Sequence, residues 1–133
     1  MEFVLTLHSL VRWIIVLVAL VAAIKFALGW LNKARVQKSD RALMSAFSGL
    51  VDVQVLLGLI LLLGQGLLTP VGFPLNRIEH FGFMIVAAIV AHTPMRWRSS
   101  DAPTVLRNNL LVIVVVLVLV VLGVASLGGN RWF

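Results

Sequence analysis

LLVIVVVLVLVVLGVASL, residues 110–127, carries no ionisable side chain. At a rise of about 1.5 Å per residue, a helix of this length covers about 27 Å, close to the roughly 30 Å hydrocarbon core of a bilayer. Working outward, three further apolar runs occupy about residues 3–31, 42–68 and 78–95 of the 133-residue chain. The third is the shortest and draws a turn from Pro94-Met95-Arg96-Trp97 or from the loop before it. No run alternates polar with apolar residues, and the chain is too short for eight paired strands, so a transmembrane β-barrel is excluded. The reading is an all-α integral membrane four-helix bundle, up-down-up-down, forming a single transmembrane domain over residues 1–133.

Composition agrees. Hydrophobic residues make up 61% of the chain and charged residues 12%, a balance that excludes an ordinary soluble enzyme and a disordered tail. Cysteine is absent, which excludes thiol catalysis, iron–sulfur ligation and Cys-zinc sites. No P-loop, strand-borne GxGxxG, HExxH or Ser/His/Asp arrangement is present, so nucleotide-dependent and nucleophilic chemistry have no candidates.

The net charge of +6 is loop charge. Lys33, Arg35, Lys38 and Arg41 crowd the first connection, Arg96, Arg98 and Arg107 the third, and the second holds Arg77 alone. By the positive-inside rule the first and third loops face the cytoplasm and both termini lie outside, in a multi-pass protein of the bacterial cytoplasmic (inner) membrane. The basic loops suit anionic lipid; no basic domain outside the membrane suggests nucleic acid. The amino terminus does not read as a removable signal, because its early charge is Glu2 and the basic cluster follows the apolar run. Trp13 and Trp30, about 25 Å apart along a helix, suit the two aromatic belts of one span; Trp97 and Arg131-Trp132-Phe133 read as further interface anchors.

Few polar residues remain inside the spans, and each is a functional candidate because ionisable groups in a bilayer need a partner, hydration or an interface. Asp52 falls near mid-membrane, with Lys25 or His92 as its partner. Towards the outer side lie His8 and Arg12 on helix 1, Gln65 on helix 2, and Arg77, Glu79 and His80 at the start of helix 3. At 100° per residue His8, Arg12, Ala19 and Ala23 share one stripe, His80, Met84, Ala87 and Ala91 another, and Gln54, Gly58, Leu61 and Gln65 a third. Small residues on such stripes have two readings: close helix packing, or room for a flat cofactor. Helix 4, with no polar side chain from Leu110 to Gly123, reads as a lipid-facing or partner-facing wall.

Two imidazoles at matched depth on separate helices are what a low-spin haem b requires, since neutral histidine nitrogens bind the iron from opposite faces of the porphyrin. His8 and His80 meet that condition. His80 and His92, about 18 Å apart along one helix, do not. Arg12 and Arg77 are candidate partners for haem propionates, and Glu79 is a candidate to pair with an arginine or to orient a histidine ring.

The segments LHSLVRW (residues 7–13), DVQVLLGLILLL (52–63) and RIEHFGFMIVAAIVAH (77–92) resemble small four-helix bacterial membrane proteins labelled cytochrome b-like. The resemblance implies haem-facing roles for His8, His80 and His92. Other four-span families, DoxX-like and copper-resistance-type proteins among them, share the architecture. The functional expectation is a haem-b protein passing electrons within or beside a respiratory or photosynthetic chain, with quinol as the candidate donor and His8 and His80 as metal ligands. Two alternatives stand beside it: a non-catalytic subunit docking onto other membrane subunits or a second copy of itself, and a small transporter or channel centred on Asp52.

Overall fold

The structure is a computed structural model that describes residues 1–129, 131 and 132; Phe133, expected as an interface anchor, lies outside the described residues. Four α-helices, α1 (Glu2–Leu31), α2 (Lys38–Leu68), α3 (Leu75–His92) and α4 (Ala102–Ser126), are long and apolar enough to cross a membrane, which makes this a multi-pass membrane protein. Each helix packs on the next, and α4 packs on α1 to close the ring.

Local chemistry sets the ends. Glu2 sits in the first turn of α1, where its charge complements the helix dipole. α2 begins at Lys38, not near residue 42, because Gln37 and Asp40 cap it reciprocally: the Gln37 backbone N–H donates to Asp40 Oδ2 at 2.7 Å. α3 begins at Leu75 and ends at His92 because Pro94 has no N–H to donate to the Val90 carbonyl. Thr93 Oγ1 donates to that carbonyl instead, at 2.6 Å. The chain tightens into a 3₁₀ turn over Thr93–Trp97, so both sources of the extra turn expected for the third span contribute. α4 starts at Ala102, well before the apolar run, with Pro103 in its first turn and Asp101 accepting from Thr104 Oγ1 at 2.7 Å. Beyond α4, Gly128 and Gly129 hold φ of +72° and +63°. That left-handed pair turns the chain back over the bundle.

The bundle is packed unequally along its length. In the half carrying the basic loops, Phe26, Phe47, Leu106, Ile113 and Val116 are fully buried, with Ala19, Ala22, Ala87 and Ala91 between them. Of the two readings of the alanine stripes, close packing is the one the fold uses there. α4 is also not simply a wall. Val105, Leu106, Asn109, Val112, Ile113, Val116, Gly123 and Val124 are buried, while Leu111, Val114, Val118 and Val121 face outward. It is the helix with the largest buried share of its apolar window.

Candidate functional site

The other half of the bundle holds an open-sided cavity of about 390 Å³ lined by all four helices. His8 and His80 line it, with ring centroids 6.4 Å apart and planes inclined at 72°. Each ring lies against a glycine of a neighbouring helix. A Cβ on Gly58 of α2 would sit 3.3 Å from His8 Cε1; one on Gly123 of α4 would sit 2.5 Å from Met84 Cε and 3.1 Å from Phe83 Cβ, with His80 Nδ1 at an ordinary contact distance of 3.5 Å. Gly58 thus gives the His8 ring its seat, while the space beside Gly123 is taken by Met84 and Phe83 of the helix that carries His80.

Hydrogen bonding fixes one ring more firmly than the other. His80 Nδ1 lies 2.7 Å from the Gly123 carbonyl oxygen, an acceptor only, so Nδ1 carries the proton and Nε2 keeps its lone pair in the neutral ring. This is the orientation role expected of Glu79. Glu79 itself is exposed, does not line the cavity and forms no ion pair among the described residues. His8 Nδ1, buried beside the Gln54 backbone, meets no acceptor at hydrogen-bonding geometry. Gln54 Oε1 and Arg12 Nε are likewise buried without a partner, and all three belong to residues lining the cavity. Each such group costs about 1–3 kcal/mol if left unsatisfied, so three around one space make it suited to a ligand with polar features of its own.

The arginines divide. Arg12 donates from Nη1 to the Arg131 carbonyl at 3.0 Å and from Nη2 to the Trp132 carbonyl at 2.8 Å, and its guanidinium lies 5.5 Å from the ring centroids of both Trp13 and Trp132. Its terminal nitrogens thus anchor the returned carboxy-terminal segment, in place of the carboxylate expected from the sequence. Arg77 lines the cavity and donates to Gln65 Oε1. Arg131 lines it from the returned segment. Sequence reasoning missed Gly123, Arg131 and Trp132 as parts of this site; the Gly128-Gly129 pair after the last span was the available signal for the chain reversal.

His92 is not brought to this cavity. Its Nε2 lies 2.9 Å from both carboxylate oxygens of Asp52, with the two side chains 45% and 51% exposed. His92 closes α3, and Asp52 meets it from the middle of α2, as the fifteenth of that helix's 31 residues. Lys25 pairs with Asp40 at 2.7 Å and donates to Gln37 Oε1 at 3.2 Å, leaving Asp52 to His92. Asp52 lines neither this cavity nor the smaller cleft beside His92. Comparison with protein-family models, curated proteins and solved structures finds no match for the chain.

Proposed function

We propose that the chain is a haem-b-binding electron-transfer protein of the bacterial inner membrane, in which His8 and His80 would hold the haem iron. The observation that carries this reading is the placement of the two rings across the cavity. Two imidazoles binding one metal from opposite sides, each with a metal–nitrogen bond of about 2 Å, have ring centroids about 6 Å apart; here the separation is 6.4 Å. Among the described residues no group of three or more His, Cys, Asp or Glu side chains is poised for a metal. A bare ion with two histidines would be under-coordinated, whereas a porphyrin brings four nitrogens of its own.

The surroundings support the same occupant. Apolar side chains such as Leu61, Phe81 and Val120 line the cavity and suit a flat macrocycle. The Gly123 carbonyl holds the His80 ring by its Nδ1 and frees Nε2 for coordination. Arg77 and Arg131 supply cations for the two propionates, and Arg12 ties down the segment that presents Arg131. When bound, haem b supplies one-electron chemistry; the protein's part is to hold the ring by two histidines and to limit its contact with water.

In this reading the helices run up-down-up-down with both termini outside. The pairings Lys25–Asp40, Gln65–Arg77 and Trp97–Asn109 suit antiparallel neighbours. The cavity then lies nearer the outer surface, where a quinol at the interface or a partner outside the membrane has the shorter path to it.

The test is the absorption spectrum of the detergent-solubilised protein from a haem-replete host. Sharp α and β bands on dithionite reduction are expected, absent from His8→Ala and from His80→Ala and unchanged in His92→Ala. A colourless wild-type protein, or bands that survive both cavity substitutions, overturns the proposal.

A further inference from the structure

At the basic-loop end, α2, α3, the 3₁₀ turn and the start of α4 line a second, smaller cleft of about 150 Å³. Arg41, Ser45 and Ser48 line it from α2, His92 from the end of α3 and Arg98 from just past the 3₁₀ turn. Neither the Arg41 nor the Arg98 guanidinium has a hydrogen-bond or ion-pair partner among the described residues. Nearby carboxylates are committed elsewhere: Asp40 to Lys25, Asp52 to His92 and Asp101 to Thr104. The cleft therefore offers two unshared guanidiniums from different elements and a serine hydroxyl at Ser45, with no free anion of its own.

Its surroundings are amphiphilic in a definite order. On α2, Arg41, Ser45, Ser48 and Asp52 recur every three to four residues and so share one face. One turn further on, that face reaches exposed Leu56; across from it α3 exposes Ile85 and Ile89, which lead to His92. The sequence of surfaces is cationic cleft, then the half-exposed Asp52–His92 pair, then exposed apolar side chains on two neighbouring membrane-spanning helices. A phospholipid has the same order: anionic phosphate, polar glycerol ester, acyl chain. Basic pockets between transmembrane helices at the cytoplasmic side are suited to such headgroups.

We propose that this cleft binds the phosphate of an anionic phospholipid, with Arg41 and Arg98 on the phosphate, Ser45 as a further donor, and an acyl chain along Leu56, Ile85 and Ile89. The site is independent of the haem cavity, and its test is read without reference to colour.

The experiment offers the purified protein an equimolar mixture of phosphatidylglycerol and phosphatidylcholine in nanodiscs, followed by extraction into detergent and native mass spectrometry of the lipids retained. Wild type is expected to retain phosphatidylglycerol preferentially, and R41Q/R98Q to lose roughly tenfold or more of that preference, as removal of charge-assisted phosphate contacts implies. K33Q/R35Q, which removes the same charge from the neighbouring loop, is the control expected to keep most of it. Equal retention of the two lipids by wild type, or an equal loss in the control, overturns the site in favour of diffuse attraction to the basic loops. Displacement of the lipid by millimolar inorganic phosphate also overturns it, reassigning the cleft to the free ion. The reduced-state spectrum of R41Q/R98Q is expected to match wild type, so failure here is distinguishable from failure of the haem reading.

Discussion

A methyl group at position 58 would lie 3.3 Å from His8 Cε1, tight enough that the ring must shift by a few tenths of an ångström. The His8 ring borders open cavity, so it has somewhere to go. In Gly58→Ala the gain in helix propensity, about 1 kcal/mol at most, opposes that crowding. Net stability is therefore expected within about 1 kcal/mol of wild type, with haem bands retained. Gly58→Leu fills the place of the ring itself and is expected to abolish the bands while the bundle still melts cooperatively in detergent. Bands that persist in Gly58→Leu would show that His8 does not use this seat. At this scale the sequence was informative about type and depth, and it singled out His8 and His80 as a pair that the fold brings to one cavity. It was uninformative about the seats. Gly58 stood out because its stripe also carries Gln54 and Gln65, but Gly123 lies in a Val/Leu run where a glycine looks like one more small apolar residue. Only the crossing of α3 on α4 shows that its missing side chain makes room for Met84 and Phe83 and that its carbonyl holds the His80 ring.

Apolar runs report where lipid lies, and helices extend beyond lipid; for that reason the span lengths were legible and the helix starts were not. α2 gains its extra turn from the Gln37–Asp40 cap, and Asp40 is only 3% exposed because Lys25 covers it, a pairing between helices that hydropathy does not encode. α4 gains more than two turns, and their role is to bring Asn109 under the 3₁₀ turn: Trp97 Nε1 donates to Asn109 Oδ1 at 2.8 Å, with Asn109 buried. Trp97 was expected as an interface anchor, and the structure adds this bond, which joins the end of one element to the start of the next. Replacing Asn109 with Leu leaves the indole N–H half-enclosed without its acceptor, at a cost of about 1–2 kcal/mol. Trp97→Phe/Asn109→Leu removes both partners and is expected to recover much of that loss, since a missing pair costs less than an unmatched donor. Thermal unfolding in detergent checks both; an Asn109→Leu midpoint equal to wild type would mean that the bond contributes nothing to holding the turn.

Across the whole molecule, the packed core and the histidine-lined cavity occupy opposite halves. The solid half, built on Phe26, Phe47 and Ile113, adjoins the basic loops, and the open half holds the histidines beneath the returned carboxy-terminal segment. Hydropathy periodicity does not distinguish the two, because a filled and an open bundle can present the same apolar faces to lipid. If the proposed haem reading holds, which half faces the cytoplasm decides which side exchanges electrons with the cavity, and the charge on the loops makes a definite forecast. The cytoplasmic side should hold Lys33, Arg35, Lys38 and Arg41 with Arg96, Arg98 and Arg107, and the outer side the connection at residues 69–74. With no cysteine in the chain, single substitutions report the answer without background. Val71→Cys, in the exposed second connection, is expected to react with a membrane-impermeant maleimide added to intact spheroplasts, whereas Ser100→Cys, exposed in the third, is expected to react only in inverted vesicles. The opposite pattern would place the histidine cavity on the cytoplasmic side and move any electron partner with it. Labelling of both positions from one side would be incompatible with the antiparallel bundle itself, because α3 alone separates them.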